Sequence, residues 1–202
     1  KNKISIVGLY DPEDHGLNID MWSSSNGNEI KLILNKLDKL NLSKDSNEIL
    51  DIALLTNSYF PKENITEEEF IYFKFKYLIK NNDKNLIKLY LLKNKNNIYN
   101  SKLIKFYINS YLENSDLENA CKIFEEINYF SDDYINKFNI YCLIIENKRE
   151  EAQLLFDLNE ESGLKDEFYE NKFHFLMEYI EKADGKISEK NILNLAKKIT
   201  LI

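Results

Sequence analysis

Ser115-Asp116-Leu117-Glu118-Asn119-Ala120-Cys121-Lys122-Ile123-Phe124 decides the fold class. An Asp stands where a helix N-cap belongs, and apolar residues follow at Leu117, Ala120, Cys121 and Phe124. That i, i+3, i+4, i+7 spacing lays one apolar stripe along a helix. Upstream, Asn114 to Asp116 separates this stretch from another helical pattern at about 99–113. Matching links stand at Asn81-Asn82-Asp83 and Asn147-Lys148-Arg149. Asp83, Asp116 and Arg149 are each 33 residues apart (116−83 and 149−116). The pairs Lys105-Phe106, Lys137-Phe138 and Lys172-Phe173 recur at 32 and 35 residues. A period near ~34 with two helices per unit marks a helical-repeat array, in which stacked neighbours bury what one pair leaves open.

Outward from this region, the pattern predicts about ten helices and no sheet. Asn28 to Leu40 is amphipathic through Ile30, Ile33, Leu34 and Leu37. Ser46 caps a second helix carrying Ile49, Leu50, Ala53 and Leu54. Thr66-Glu67-Glu68-Glu69 is a capping box opening a third, with Phe70, Phe73, Tyr77 and Leu78 inward. Asp83 caps a fourth, to about residue 93. The rest follow at about 99–113, 116–127, 132–146, 149–158, 166–181 and 189–199. Between Gly27 and Gly163 there is no glycine, and the only prolines are Pro12 and Pro61. Strand-rich folds need turn residues far more often.

The 202 residues are 44% hydrophobic, enough for a core, and carry a net charge of −7. Phosphate backbones demand a basic footprint, so nucleic acid is an improbable ligand and an electrostatic membrane anchor equally so. No apolar run reaches the ~20 residues of a membrane span.

The stretch 115–124 resembles the second helix of a tetratricopeptide repeat, with Ala120 at the small close-packing position. Lys148-Arg149-Glu150-Glu151-Ala152 looks like the same element one unit later. The usual first-helix tryptophan, the glycine before its end and the terminal proline are missing. The resemblance covers about residues 66 to 181. It implies an all-α, tetratricopeptide-like solenoid of antiparallel helix pairs over residues 28–202, preceded by an extended arm over 1–27. The arm runs Gly8-Leu9-Tyr10-Asp11-Pro12-Glu13-Asp14-His15-Gly16-Leu17-Asn18-Ile19-Asp20-Met21-Trp22. With the repeats behind it, the arm resembles the start of an uncharacterised family of alphaproteobacterial envelope proteins. That likeness implies a periplasmic or envelope-associated location, the alternative being cytoplasmic.

Function is read from what such arrays do. The expectation is a non-enzymatic protein-interaction scaffold or structural subunit, with a protein or peptide partner and no cofactor. Tyr10 and Trp22 on the arm are candidate partner contacts, although packing on the chain's own first helices is the commoner fate of such an arm. Lys74, Lys105, Lys137 and Lys172 recur on first helices and could hold an acidic peptide, against the plainer reading of solvated lysines. The alternatives are a hydrolase or metal-dependent enzyme using Asp14 and His15 with Asp11, Glu13 and Asp20, or a carrier of an apolar ligand. Neither has a recognisable constellation: His174 has no His or Cys at i+3 or i+4, and no phosphate loop, nucleophile elbow or Cys-x-x-Cys occurs.

Cys121 and Cys142 are the only cysteines. They lie about equally far from the link near Ser131 (131−121 is 10, 142−131 is 11). Equal distance from a turn puts two helical positions at one height. Two buried thiols or a disulfide both fit that placement. The envelope family's own cysteines at these places imply the disulfide.

Overall fold

The computed structural model describes residues 6–127, 132–163 and 166–181. They hold nine α-helices: α1 Gly27–Leu37, α2 Lys44–Leu55, α3 Glu67–Asn81, α4 Lys84–Lys93, α5 Ser101–Leu112, α6 Leu117–Cys121, α7 Asp133–Ile145, α8 Arg149–Glu161 and α9 Glu167–Leu176. Short 3-10 turns stand at Glu13–His15 and Lys122–Glu125. Among the described residues there is no strand, only three isolated bridges. The helix expected at 189–199 and the link at Ser131 lie outside the described residues.

Caps explain the helix starts. Thr66 accepts from the Glu69 amide while Glu69 reaches back to Thr66, the full capping box. Asp83, Asp116, Asp132 and Asp166 each accept a first-turn amide. Two starts differ from the sequence reading. The second helix is capped by Ser43, whose oxygen takes the Ser46 amide, so it begins almost a turn earlier. At the third link the cap position is Lys148, which has no side-chain acceptor to offer, and Arg149 is already helical. The expected helix at 116–127 tightens to 3-10 from Lys122, a common end for a short helix.

The stops repeat more regularly than the starts. Four helices, α3, α5, α7 and α9, are followed within three residues by a left-handed one: Asn82, Ser115, Asn147 and Glu178. The spacings are 33, 32 and 31 residues (115−82, 147−115, 178−147). At the last three, the following amide reaches back five residues: Asp116 to Tyr111, Lys148 to Leu143 and Tyr179 to His174. This is the Schellman stop, usually made by glycine. None of the four is glycine, so each carries the left-handed strain of a Cβ. Ser115→Gly is expected to stabilise the protein by roughly 0.5–1 kcal/mol, the strain relieved less glycine's extra chain entropy. A denaturation midpoint that fails to rise would refute this account of the stop.

Compactness divides the chain into two units, Lys1–Leu103 and Ile104–Ile202, with the division inside α5. In the first unit α3 is the central helix: Phe70, Ile71, Lys74, Phe75, Tyr77 and Leu78 are buried. α4 packs on it, with Tyr90 edge-on to Phe75 at 6.0 Å. α1 and α2 bury less than their periodicity promised, since Ile33 and Ile49 point outward at 54% and 70% exposure. In the second unit α7 and α8 pack together, and α9 closes over them. Ile140, Ala152, Phe156, Phe173 and Met177 form that core, with Phe156 and Phe173 stacked at 3.9 Å. Ala120 and Ala152 are fully buried, as the small close-packing position requires. A larger side chain there would overpack.

Candidate functional site

The arm is clasped by its own unit. Val7 bridges Ser58, the Leu9 and Tyr10 amides both donate to Leu55 O, and Asn57 N donates to Tyr10 O. Farther along, Tyr59 N donates to Ile19 O and Gly27 N to Glu63 O. Side chains complete the clasp. Asn94 at the end of α4 takes both polar groups of Gly8, accepting from its amide at 3.2 Å and donating to its carbonyl at 2.8 Å. Asn100 then donates to Asn94 O at 2.7 Å. Asp11-Pro12 is the start of the 3-10 turn, with Asp11 accepting from the Glu13 amide.

Tyr10 anchors the arm to α2. Its hydroxyl donates to Asp51 Oδ2 at 2.5 Å. Burial, and then the adjacent carboxylate, push the Tyr10 hydroxyl far above its ordinary range. Burial likewise raises Asp51, more than the hydrogen bonds from Tyr10 and Tyr77 lower it. Trp22 is half-buried and meets Phe70 of α3 edge-on at 5.5 Å. Both aromatics thus pack within the chain, on α2 and α3.

Lys74 has no surface to present. It is fully buried, its Nζ donates to Val7 O at 2.8 Å, and it lies 5.3 Å from the Phe70 ring centroid. Burial alone pushes this amine down, to about 7. It therefore does not belong to any row of solvated lysines lining a groove.

The remaining lysines of the row lie in the second unit, and two of them, Lys105 and Lys137, follow one rule. Lys105 on α5 pairs with Asp132, the N-cap of α7, at 2.7 Å, and lies over the Tyr134 ring. Lys137 on α7 pairs with Asp166, the N-cap of α9, at 2.7 Å, and lies over the Tyr169 ring. Lys137 also holds Asp133 at 2.9 Å. Each lysine thus clamps the start of the next odd-numbered helix. The Asp166 carboxyl is raised by burial, but the Lys137 ammonium and the Tyr169 amide outweigh that and hold it below the usual range. Lys172 is half-buried on α9, and burial lowers its amine. The recurrence seen at 105 and 137 reflects this clamp, whose Asp and Tyr partners recur 34 and 35 residues apart (166−132 and 169−134). That companion spacing was visible in the sequence but unremarkable until the partners met.

Cys121 closes α6 and Cys142 lies on α7. Both are buried, with Cα atoms 5.6 Å apart and sulfurs at disulfide distance. Asp14 and His15 sit exposed on the first 3-10 turn, where the His15 ring meets Tyr10 edge-on at 5.5 Å. Among the described residues no three His, Cys, Asp or Glu converge as metal ligands. His174 meets Phe156, Phe173 and Tyr179 in tilted or edge-on ring contacts. Among the described residues no helix is long and apolar enough to cross a membrane.

Comparison with family models, with curated proteins and with solved structures gives no match for this chain.

Proposed function

We propose that this protein is a non-enzymatic interaction scaffold of tetratricopeptide-like helix pairs, a structural subunit of an envelope-associated assembly. The observation that carries the reading is the left-handed stop at Asn82, Ser115, Asn147 and Glu178, recurring at the spacing that one helix-pair unit used repeatedly would give. Repeats of this kind present long ridged surfaces on which partners dock. α8 supports the reading: Leu154 and Leu158, one turn apart, are 60% and 50% exposed between acidic residues Glu150, Glu151, Asp157 and Glu161. An apolar stripe rimmed by charge is how many protein contacts begin. The buried Cys121–Cys142 pair supports an oxidising compartment, because cytosolic reductants open such bonds.

The test is affinity capture of the full chain from its native source beside a Leu154→Glu, Leu158→Glu form. Both changes sit on exposed positions, so the melting curve should be unchanged while a stoichiometric protein partner is lost. Recovery of the native chain alone overturns the scaffold reading. So does stoichiometric metal held through His15, which would favour the metal-enzyme alternative. An apolar ligand retained in a native mass spectrum would favour the carrier.

A further inference from the structure

Lys74 is the least expected residue in the first unit. A buried amine normally faces a carboxylate, because a charge leaving water needs a counter-charge. Here its hydrogen-bond partner is a backbone carbonyl, Val7 O, and that carbonyl belongs to the arm. Among the described residues, none is paired with it as an opposite charge. Residues Ile6 to Leu9 contain no ionisable side chain, and neither does the Leu54–Ser58 segment that pairs with them. α4 carries Lys84, Lys88 and Lys93 but no acid, and its Tyr90 hydroxyl is itself buried and held neutral by burial. On α2, Asp51 is taken by Tyr10; on α3, Glu69 is taken by Lys31. The ring over the amine is Phe70.

The backbone that closes over Lys74 belongs to the arm. Residues 6–10 of the arm are held by backbone bonds at Leu55, Asn57 and Ser58 and by the Asn94, Lys74 and Tyr10 contacts, and residues 13–16 behind them are exposed. We propose that arm docking is proton-linked: residues 6–10 seat on α3 and α4 with the Lys74 amine uncharged, and the arm releases more readily as that amine takes up a proton. With the arm away, Lys74 meets water and regains the ordinary affinity of a lysine for its proton. Burial alone drives the change, which lowers the docked amine to about 7.

The sign follows from which form binds the proton better. The open form does, so docking is firmest at alkaline pH and weakens as the pH falls through the range between the open and docked values. Below the docked value both forms hold the proton and the dependence stops.

The experiment is hydrogen exchange on the full chain at the Leu9, Tyr10 and Asn57 amides, from about pH 7 to about pH 9, corrected for hydroxide catalysis. The arm-opening constant should fall up to about tenfold for each pH unit gained, one proton's worth. The α7 and α8 amides should show no such slope. Lys74→Met keeps the side chain as far as Cε without the amine, and should flatten the arm's dependence. A flat opening constant in the unaltered chain, or the same slope in Lys74→Met, overturns the proposal. Side-chain NMR of Lys74 in the unaltered chain gives an independent reading that needs no variant. An amine that stays fully charged through this range with the arm docked overturns it as well, and titration near neutral supports it.

Discussion

Gly8→Ala is expected to unseat the arm. A methyl group built at Gly8 lies 2.5 Å from Asn57 N, 2.6 Å from Asn57 Cα and 2.6 Å from the Thr56 carbonyl carbon. All three are backbone atoms, so no side chain can turn aside to make room. Relief requires the arm to move off the Leu55–Ser58 segment, and that movement breaks the two Asn94 bonds to Gly8 and the Lys74 bond to Val7 O. Overpacking with loss of buried hydrogen bonds costs about 3 kcal/mol. The denaturation midpoint should fall accordingly, with faster exchange at Leu9 and Tyr10. Gly16→Ala is the control. Gly16 has φ +64 but nothing within 4 Å of its added Cβ, so only left-handed strain applies, about 1 kcal/mol. Equal effects at the two glycines would show that the close approach at Gly8 is not what seats the arm.

Reducing the Cys121–Cys142 pair is expected to cost about 3 kcal/mol, the chain-entropy value for closing a loop of about twenty residues. The sequence separation is 21. The loss should concentrate at α6, which is only five residues long and passes directly into a 3-10 turn. A helix this short has no stability of its own and depends on what fastens it. Hydrogen exchange should show α6 losing protection on reduction while α8 keeps most of its own. Cys121→Ala with Cys142→Ala should reproduce the lowered midpoint and abolish its sensitivity to reductant. A midpoint indifferent to reductant in the unaltered protein would mean that the two sulfurs are not joined. Mass spectrometry of protein taken from its native compartment, without reductant, checks the same point. Two free thiols there would remove the support for an oxidising location.

Much of the helix pattern is legible in the sequence because its causes are local. Thr66 and Glu69 find each other within one turn, and Asp83, Asp116, Asp132 and Asp166 cap amides no more than three residues away. Three of the left-handed stops are legible too, since Asn82, Ser115 and Asn147 fall where Asn and Ser stand, whereas nothing in the residues around Glu178 marks the fourth. The inward faces of α1 and α2 were less so. Ile33 and Ile49 fit an apolar stripe by spacing, yet which side of a helix is covered depends on neighbours that spacing does not name.

What each lysine does was decided by tertiary structure alone. In the sequence Lys74, Lys105 and Lys137 look alike, recurring on helices beside aromatic residues. In the fold Lys105 and Lys137 clamp aspartates 27 and 29 residues downstream (132−105 and 166−137), while Lys74 is sealed beneath a carbonyl 67 residues upstream. The arm's seat has the same origin, since Asn94 reaches Gly8 across 86 residues. Caps and apolar spacing act within a few residues along the chain, so the sequence by itself determined where most of the described helices lie. A lysine's charge, burial and partner depend on which distant backbone closes over it, and that is fixed only when the chain has packed.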